Sequence, residues 1–308
     1  MLLLLFISST TIALAQKKNK LAFAKGADVS WLPQMEATGY RFYDTDGKEK
    51  DCLQLLKERG MNTIRLRVFV NPSQDKASGH CSKEETVAMA LRAQKAKMRI
   101  MIDFHYSDTW ADPAKQAKPA AWVNLSFDAL QNKVYEHTFN VLTALKKAGV
   151  TPEWVQVGNE IPGGMLWPDG STNNWAQLAQ LLNKGYEATK AVNAKIKVIV
   201  HVDEGNNNEK FRWFFDKATE HQVKYDVIGL SYYPFWIKKD YSETIADLQK
   251  NLNDMASRYQ KEVMVVEVGG VDEQVQNTRE LLAATIKAVR AVPDHKGLGV
   301  LYWEPQGA

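Results

Sequence analysis

Several features that would assign the chain to a special class are missing or scarce. The 308 residues carry a net charge of only +3, spread along the chain, which gives no electrostatic footprint for nucleic acid. Hydrophobic residues make up 45% and charged residues 24%, a globular composition without a bias towards disorder. Only two cysteines occur, Cys52 and Cys81. Both a disulfide between them and two free thiols stay open as interpretations.

Motifs for bound metals and nucleotides are also missing. The sequence has no HExxH, no pair of CxxC motifs and no EF-hand spacing. His105 and His201 could be grouped with Asp108 and Asp203, but their spacing is not specific for a metal. No Gly-rich phosphate loop follows an early strand. We therefore expect neither a catalytic metal nor a cofactor.

Long apolar runs are confined to the start of the chain, MLLLLFISSTTIALAQ. An apolar core followed by Ala-Leu-Ala is typical of a secretory signal peptide over residues 1–15, with cleavage before Gln16. The basic residues that usually precede the core are missing, as expected if the recorded sequence starts inside the signal peptide. A buried N-terminal helix is the alternative interpretation. The core is too short to span a bilayer, and no later stretch resembles a membrane span. We expect an exported protein, secreted or periplasmic, that works away from membranes.

Apolar strand patterns alternate with amphipathic helical patterns along the rest of the chain. Eight strands are predicted, at residues 25–31, 63–70, 98–106, 154–160, 196–203, 226–233, 263–269 and 297–304. The clearest helical stretches are 83–97, 132–149, 174–193, 241–260 and 273–292. This series predicts a (β/α)8 TIM barrel, as one catalytic domain over residues 16–308 and as a monomer. A doubly wound open sheet is disfavoured by the missing phosphate loop. The eighth helix is apparently missing from the recorded chain, which stops just after the eighth strand.

In such barrels the catalytic groups stand at the carboxyl ends of the strands. Strands four and seven lie across the barrel mouth from each other, so Glu160 and Glu267, at their ends, can share one reaction. Glycoside hydrolysis requires two such groups: an acid that protonates the leaving oxygen, and a carboxylate that attacks the anomeric carbon or activates water. A solvated loop carboxylate is the alternative for Glu160. The other strand ends are also rich in polar and aromatic residues, including Asp28, His105, Asn159, His201, Tyr232, Tyr233 and Glu304.

Arg65 and Arg67 alternate along the second strand and therefore point to the same side. If that side is the barrel interior, Arg67 lies nearer the substrate and helps to keep a carboxylate nucleophile ionised. If it is the outside, the pair forms ion pairs with the helices, and the apolar residues between them fill the interior. His105 is likewise either a substrate contact or a core histidine whose ring is fully bonded.

Tryptophans gather at the same end of the predicted barrel. Six fall at strand ends or in the loops that follow, namely Trp31, Trp110, Trp122, Trp167, Trp236 and Trp303. Indole faces stack on the C–H faces of sugar rings, while Asn, His and Asp side chains bind the hydroxyls. Each of these tryptophans taken singly could equally be a core residue. Their common location favours a sugar-binding cleft.

Seven stretches of the sequence resemble glycoside hydrolase family 53, a clan A family of arabinogalactan endo-β-1,4-galactanases. They are GADVSWLPQMEATG (26–39), TIRLRVFVNP (63–72), MIDFHYSDTWADPAKQAKPAAW (101–122), QVGNEIPGGMLWP (156–168), DVIGLSYYPFW (226–236), VVEVG (265–269) and YWEP (302–305). They cover nearly the whole mature chain in order. The resemblance implies hydrolysis of β-1,4-galactan, the side chain of type I arabinogalactan, with retention of configuration.

The resemblance also implies roles for single residues. Glu160 would be the acid/base and Glu267 the nucleophile. Asn159 would hold the sugar 2-hydroxyl, and Arg67, with one of the two tyrosines that end strand six, would orient the nucleophile. The expected substrate-binding set is completed by the other strand-end residues: Asp28, Trp31, His105, Trp110, Trp167, His201, Tyr232, Tyr233 and Trp303.

The chain departs from the family pattern in its loops. The family's usual GNET reads GNEIP here, so the loop after Glu160 is altered. The segment after strand seven enters a helix almost at once, which leaves no room for the calcium-holding loop of some members. A β-mannanase or β-glucanase of the same clan stays an alternative, separable by activity on galactan, mannan and glucan. A non-catalytic carbohydrate-binding barrel is disfavoured because both glutamates are present.

Overall fold

A computed structural model describes residues 22–307; the predicted signal peptide lies outside these described residues. Its centre is formed by eight parallel strands: β1 Ala24–Asp28, β2 Thr63–Val68, β3 Arg99–Phe104, β4 Trp154–Val157, β5 Lys197–Val202, β6 Val227–Tyr232, β7 Glu262–Val268 and β8 Gly297–Trp303. Each strand pairs with the next, and β8 pairs with β1, so the sheet closes. The predicted (β/α)8 barrel is confirmed, and the open doubly wound sheet is wrong.

Seven helices cross over between successive strands on the outside of the barrel: α1 Cys52–Glu58, α2 Lys83–Lys95, α3 Phe127–Lys147, α4 Trp175–Val192, α5 Asn208–Glu220, α6 Tyr241–Arg258 and α7 Val275–Arg290. A short helix, Leu32–Ala37, precedes α1. Side-chain caps fix where α1 to α6 begin, and Ser82 and Glu85 form a capping box at the start of α2. The described residues that follow β8, 304–307, contain no helix. Within the described part of the chain, no helix has the length and apolar character needed to cross a membrane.

Side chains alternate between the two faces of the sheet, and this alternation divides the core into two layers. The outer layer lies between sheet and helices and contains Ile64, Leu66 and Val68, so the interpretation that places Arg65 and Arg67 on the outside is wrong. The inner layer closes the amino-terminal half of the barrel with Ala24, Met101, Trp154, Ile199, Val227, Met264, Val266 and Leu301. Nearer the carboxyl ends, the inward positions are polar, and the candidate site lies there.

The two cysteines are buried and unpaired. Cys52 opens α1, and Cys81 lies in the loop before α2, where its thiol contacts the carbonyl oxygen of Ser30 at 3.5 Å. Burial raises the pKa of each thiol to about 12. Of the two interpretations left open by the sequence, the structure has the free thiols.

Candidate active site

A β-bulge places Glu267 inside the barrel. Along β7 the pairing with β6 runs Leu230 with Val265 and then Ser231 with Glu267, so Val266 is an extra residue. Without this shift, strict alternation would turn Glu267 outward with Val265, because Val266 already points into the inner layer. Bulges commonly re-aim a side chain beside an active site. The carboxylate that the sequence predicted as nucleophile therefore reaches the barrel mouth through a local irregularity of its strand.

Arg65 of β2 is the cation that contacts this carboxylate. Its Nη2 lies 2.8 Å from Oε1 of Glu267 and 2.9 Å from Oδ2 of Asp103, and its Nη1 lies 2.7 Å from Oδ2 of Asp28. Nη2 also donates to Oδ1 of Asn159 at 2.9 Å. Asp28 is completely buried, and its carboxylate oxygens contact the arginines. The prediction that Asp28 contacts the substrate is therefore corrected. Buried charges require such partners.

Two consecutive tyrosines at the end of β6 have opposite positions. The hydroxyl of Tyr233 donates to Oε2 of Glu267 at 3.1 Å. Tyr232 is completely buried, and its hydroxyl pairs with that of Thr244 in the outer helix α6 at 2.8 Å. Of the two tyrosines predicted for the site, Tyr233 therefore orients the carboxylate, and Tyr232 belongs to the contact between barrel and helix.

Asn159 and Glu160 follow β4 through a tight turn. Gly158 has φ of 82° and Glu160 has φ of 43°, so both adopt left-handed backbone conformations. Asn159 is buried, and its Nδ2 donates to the carbonyl oxygen of Ala111 at 2.8 Å. Glu160 stays partly exposed at the barrel mouth. In the altered GNEIP segment, Ile161 is completely buried and packs close to Gly158, so this departure from the family pattern supplies a core residue.

The two histidines predicted as substrate contacts are held by protein groups. Nδ1 of His105 accepts a backbone N–H at 2.9 Å, which leaves the Nε2 proton to face Oδ2 of Asp103 at 3.0 Å. Nε2 of His201 pairs with the Ser231 hydroxyl at 2.7 Å, and its Nδ1 accepts the backbone N–H of Glu160 at 3.3 Å. Burial lowers the pKa of His201 well below its usual value. The ring nitrogens of both histidines therefore already have partners within the protein, and the rings support the site rather than act as free ligands for hydroxyls.

Arg67 packs against Trp110, one of the aromatic side chains that line the cleft. Its Nη1 lies 2.6 Å from Oε1 of Glu304 and 3.5 Å from Oδ1 of Asp28. Its Cζ lies 3.7 Å from the ring centroid of Trp110, and that ring meets Trp303 edge to face at 6.1 Å. The prediction that Arg67 orients the nucleophile is therefore wrong. Arg65, the preceding inward-facing residue of β2, lies deeper in the barrel and contacts Glu267 instead. Trp110 is 41% exposed and offers its free side to a ligand.

The other predicted tryptophans differ in their burial and in their distance from the two glutamates. Trp31 and Trp167 are half-buried at the carboxyl end of the barrel, and Nε1 of Trp167 donates to the carbonyl oxygen of Gly163 at 2.9 Å. Trp122 is buried and packs on the helix side of the sheet. Trp236 is 73% exposed in the loop after β6. The structure thus brings Trp110 and Trp303 to the two glutamates and leaves Trp122 and Trp236 away from them.

A small cavity of about 70 Å³ joins these groups at the barrel mouth. Most of the predicted site lines it, together with one arginine and two loop residues that were not in the predicted set: Arg65, Arg67, His105, Trp110, Ala111, Asp112, Asn159, Glu160, Glu267 and Trp303. Among residues 22–307, no group of three or more His, Cys, Asp or Glu side chains is arranged to hold a metal ion. The segment between β7 and α7 runs only from 269 to 274.

The two glutamates differ in their electrostatic surroundings. Burial raises the pKa of Glu267 to about 7, and Arg65 is the strongest opposing influence. Burial and then the charge of Glu267 hold the pKa of Glu160 well above its usual value. Two neighbouring carboxylates resist simultaneous ionisation, and the arginine at 2.8 Å favours the charge on Glu267. The remaining proton therefore resides on Glu160.

Sequence reasoning missed two buried glutamines. Gln156 of β4 donates to Oδ1 of Asp103 at 2.7 Å, and its Oε1 accepts from Arg65 at 3.2 Å. Its inward position could have been found from strand alternation. Gln116 lies in the loop after β3 and donates to the backbone beside Glu160. No periodic signal marks a loop residue of this kind.

A closed (β/α)8 barrel with glutamates at the ends of β4 and β7, next to the exposed Trp110 and the half-buried Trp303, is the arrangement of a glycoside hydrolase. The chain belongs to glycosyl hydrolase family 53, whose family model matches residues 24–308. The resemblance read from the sequence is confirmed.

Individual relatives agree with this assignment. The endo-beta-1,4-galactanase of Bacillus subtilis is 35% identical over 92% of this chain and 70% of its own length. The arabinogalactan endo-beta-1,4-galactanase of Humicola insolens is 35% identical over 91% of this chain and 89% of its own. A solved structure from a study of two fungal beta-1,4-galactanases superposes with a TM-score of 0.84 at 32% identity, covering 92% of this chain and 90% of that one.

Proposed function

We propose that the chain is an endo-β-1,4-galactanase that cleaves the galactan side chains of type I arabinogalactan with retention of configuration. Membership of family 53 and the names of the relatives support the substrate. The proposed mechanism is supported by the different surroundings of the two glutamates. Glu267 is bound by Arg65 and Tyr233, whereas Glu160 stands partly exposed with a raised pKa. A charged nucleophile and a protonated acid are what the first step of a retaining glycosidase needs.

In the first step, Glu267 attacks the anomeric carbon while Glu160 protonates the departing glycosidic oxygen. The C–O bond to the leaving sugar breaks, and a galactosyl ester forms on Glu267. Arg65 and Tyr233 hold the two carboxylate oxygens from the protein side, which aligns the attacking lone pair. Asn159 is proposed to bind the sugar 2-hydroxyl from its position beside Glu160.

In the second step, Glu160 takes a proton from water, and the hydroxide so generated attacks the same anomeric carbon. Esterification removes the negative charge of Glu267, and that charge is one of the causes of the raised pKa of Glu160. The pKa of Glu160 therefore falls when a base is needed. The ester bond breaks, and Glu267 leaves as a carboxylate held by Arg65.

We further propose that residues 1–15 are a cleaved signal peptide, that residues 16–308 are one catalytic domain, and that the mature enzyme acts outside the cytoplasm as a monomer. The apolar core followed by Ala-Leu-Ala supports export. The closed barrel, which uses strands from both ends of the described chain, supports a single domain.

Release of reducing ends from debranched β-1,4-galactan tests the proposal, with Glu160→Ala and Glu267→Ala compared with the parent. We expect Glu267→Ala to abolish hydrolysis and Glu160→Ala to slow it by about 10²–10⁴-fold. Glu204→Ala is a matched control, because Glu204 also follows a strand with a left-handed φ but pairs with Lys210. It should keep the parent rate.

The outcomes separate substrate from mechanism. A folded parent that is inactive on galactan but hydrolyses mannan or glucan would overturn the substrate and leave the catalytic pair standing. Full activity of Glu267→Ala on any of these glycans would overturn the mechanism instead.

A further inference from the structure

We propose that Gln116, in the loop after β3, is a positioning residue that holds the backbone of Glu160 and thereby aims its carboxyl group at the glycosidic oxygen. This inference rests on the proposed role of Glu160 as acid/base. Gln116 is 2% exposed.

The side-chain amide of Gln116 is directed at the backbone of the turn after β4. Its Nε2 donates to the carbonyl oxygen of Asn159 at 2.9 Å and to that of Glu160 at 3.1 Å. A third acceptor, the carbonyl oxygen of Asp112, lies at 3.0 Å in the glutamine's own loop. A primary amide has two protons, so one of these contacts is shared. The amide group joins two loops through carbonyl oxygens that flank the catalytic side chain.

The backbone that Gln116 holds is one that would relax without support. Glu160 has φ of 43°, a conformation that residues with a side chain rarely adopt and that persists only when the surroundings enforce it. From the β5 side, the ring of His201 accepts the N–H of Glu160 at 3.3 Å, and the carbonyl oxygen of His201 accepts the N–H of Ile161 at 3.0 Å. From the β3 side, Gln116 binds the carbonyl oxygens. The turn is therefore held on one side by His201 of β5 and on the other by Gln116 of the loop after β3.

Gln116 is itself anchored by the loop that follows Glu160. Its backbone carbonyl accepts the N–H of Trp167 at 2.7 Å, and Ala117 forms a parallel bridge with Trp167. Lys118 pairs with Asp169 further along the same two loops. The backbone contacts and the ion pair would survive loss of the Gln116 amide. A variant at this position should therefore keep the loops joined and lose the direct hold on Glu160.

A small displacement of Glu160 has a specific kinetic signature. Misplacing a catalytic group by about 1 Å can cost on the order of 100-fold in rate. An acid is needed only when the leaving group is a poor one, such as a sugar hydroxyl, because 2,4-dinitrophenolate departs without a proton. Misplacement of the acid therefore slows the cleavage of galactan and spares the attack on a 2,4-dinitrophenyl glycoside.

The test measures kcat/KM of Gln116→Met on β-1,4-galactan and on 2,4-dinitrophenyl β-1,4-galactobioside. Methionine matches the length of glutamine without a donor. We expect kcat/KM on galactan to fall about 100-fold, and kcat/KM on the dinitrophenyl glycoside to stay within about threefold of the parent. Azide should raise kcat of the variant on the dinitrophenyl glycoside, because azide attacks the galactosyl ester without a base and releases the Glu267 carboxylate. If the methionine variant does not fold, Gln116→Asn, which keeps a shorter amide, carries the same comparison.

Two reference variants make the outcome decisive. Lys118→Met removes the neighbouring ion pair between the same loops and should leave the ratio of the two kcat/KM values at that of the parent. Glu160→Ala should lose kcat/KM on galactan and keep its kcat/KM on the dinitrophenyl glycoside. Equal losses of Gln116→Met on both substrates, or no loss, would overturn the positioning role. If Glu160→Ala itself loses activity equally on both substrates, the proposed function of Glu160 fails instead.

Discussion

Replacing Tyr233 by Phe removes one hydrogen bond from Glu267 and leaves the ring in place. The hydroxyl lies 3.1 Å from Oε2 of the carboxylate, and the ring packs against Gly269, which has no room for a Cβ on that side. The hydrogen bond favours the ionised carboxylate, so its loss raises the pKa of Glu267 above the value of about 7 that burial already imposes. Since the reaction needs ionised Glu267, the acid limb of the pH profile should move to higher pH.

The size of this effect follows from the hydrogen bond. A hydrogen bond to a charged group contributes about 1.5–3 kcal/mol, and one pKa unit corresponds to about 1.4 kcal/mol. Full loss would move the acid limb by about one to two pH units. The cleft beside Glu267 can admit water that replaces part of the bond, so a movement of about one pH unit is expected. Arg65 at 2.8 Å is unchanged in this variant and keeps the nucleophile functional.

The assay is kcat/KM on galactan as a function of pH for the parent, Tyr233→Phe and Tyr232→Phe. Tyr232→Phe is the matched control, because its hydroxyl bonds to Thr244 outside the barrel. The control should lose about 0.5–1.5 kcal/mol of unfolding free energy without moving the acid limb. An acid limb that stays in place or moves to lower pH in Tyr233→Phe would refute the assignment of this tyrosine and of Glu267.

Three further predictions concern the coupling between the two glutamates, the exposed ring of Trp110 and the two cysteine thiols. Glu267→Gln removes the charge that helps to raise the pKa of Glu160, so a carboxyl titration followed by infrared spectroscopy should show that pKa lowered; an unchanged pKa would contradict the coupling. Trp110→Ala should raise KM on galactan by about tenfold and change kcat little, since the exposed ring offers a stacking face; an unchanged KM would remove it from the cleft. Cys52 and Cys81 should resist Ellman's reagent in the folded protein and both react in denaturant, whereas a disulfide would leave no thiol to react.

The barrel could be predicted from the sequence because its signal is repeated. Each strand is a short apolar run, five of the crossovers show clear helical periodicity, and eight strands in such an alternating series leave few architectures. The antiparallel pair Gly164–Met165 and Gly170–Ser171, in the loop after β4, was not predicted. Two-residue strands carry no periodicity, and the contact depends on how the loop folds back.

The residue types of the site were predictable, and several of their contacts were not. Alternation places Arg65 and Arg67 on one side, but the choice of which one reaches Glu267 depends on the stagger of β2 relative to β7 across the barrel. The bulge at Val266 also reverses the side to which Glu267 points, and no pattern in VMVVEVG indicates it. Gln116 contacts Glu160 through the backbone of a second loop, a contact that only the folded chain defines.

The central claim, retaining hydrolysis of β-1,4-galactan by Glu160 and Glu267, is tested most directly by proton NMR of the first products. Galactan is mixed with enzyme in deuterated buffer, and the anomeric signals of the new reducing ends are followed before mutarotation. The account predicts that the β-anomer forms first and that the α-anomer grows in later. Initial formation of the α-anomer would contradict it, because a single displacement by water would then have occurred without an ester on Glu267.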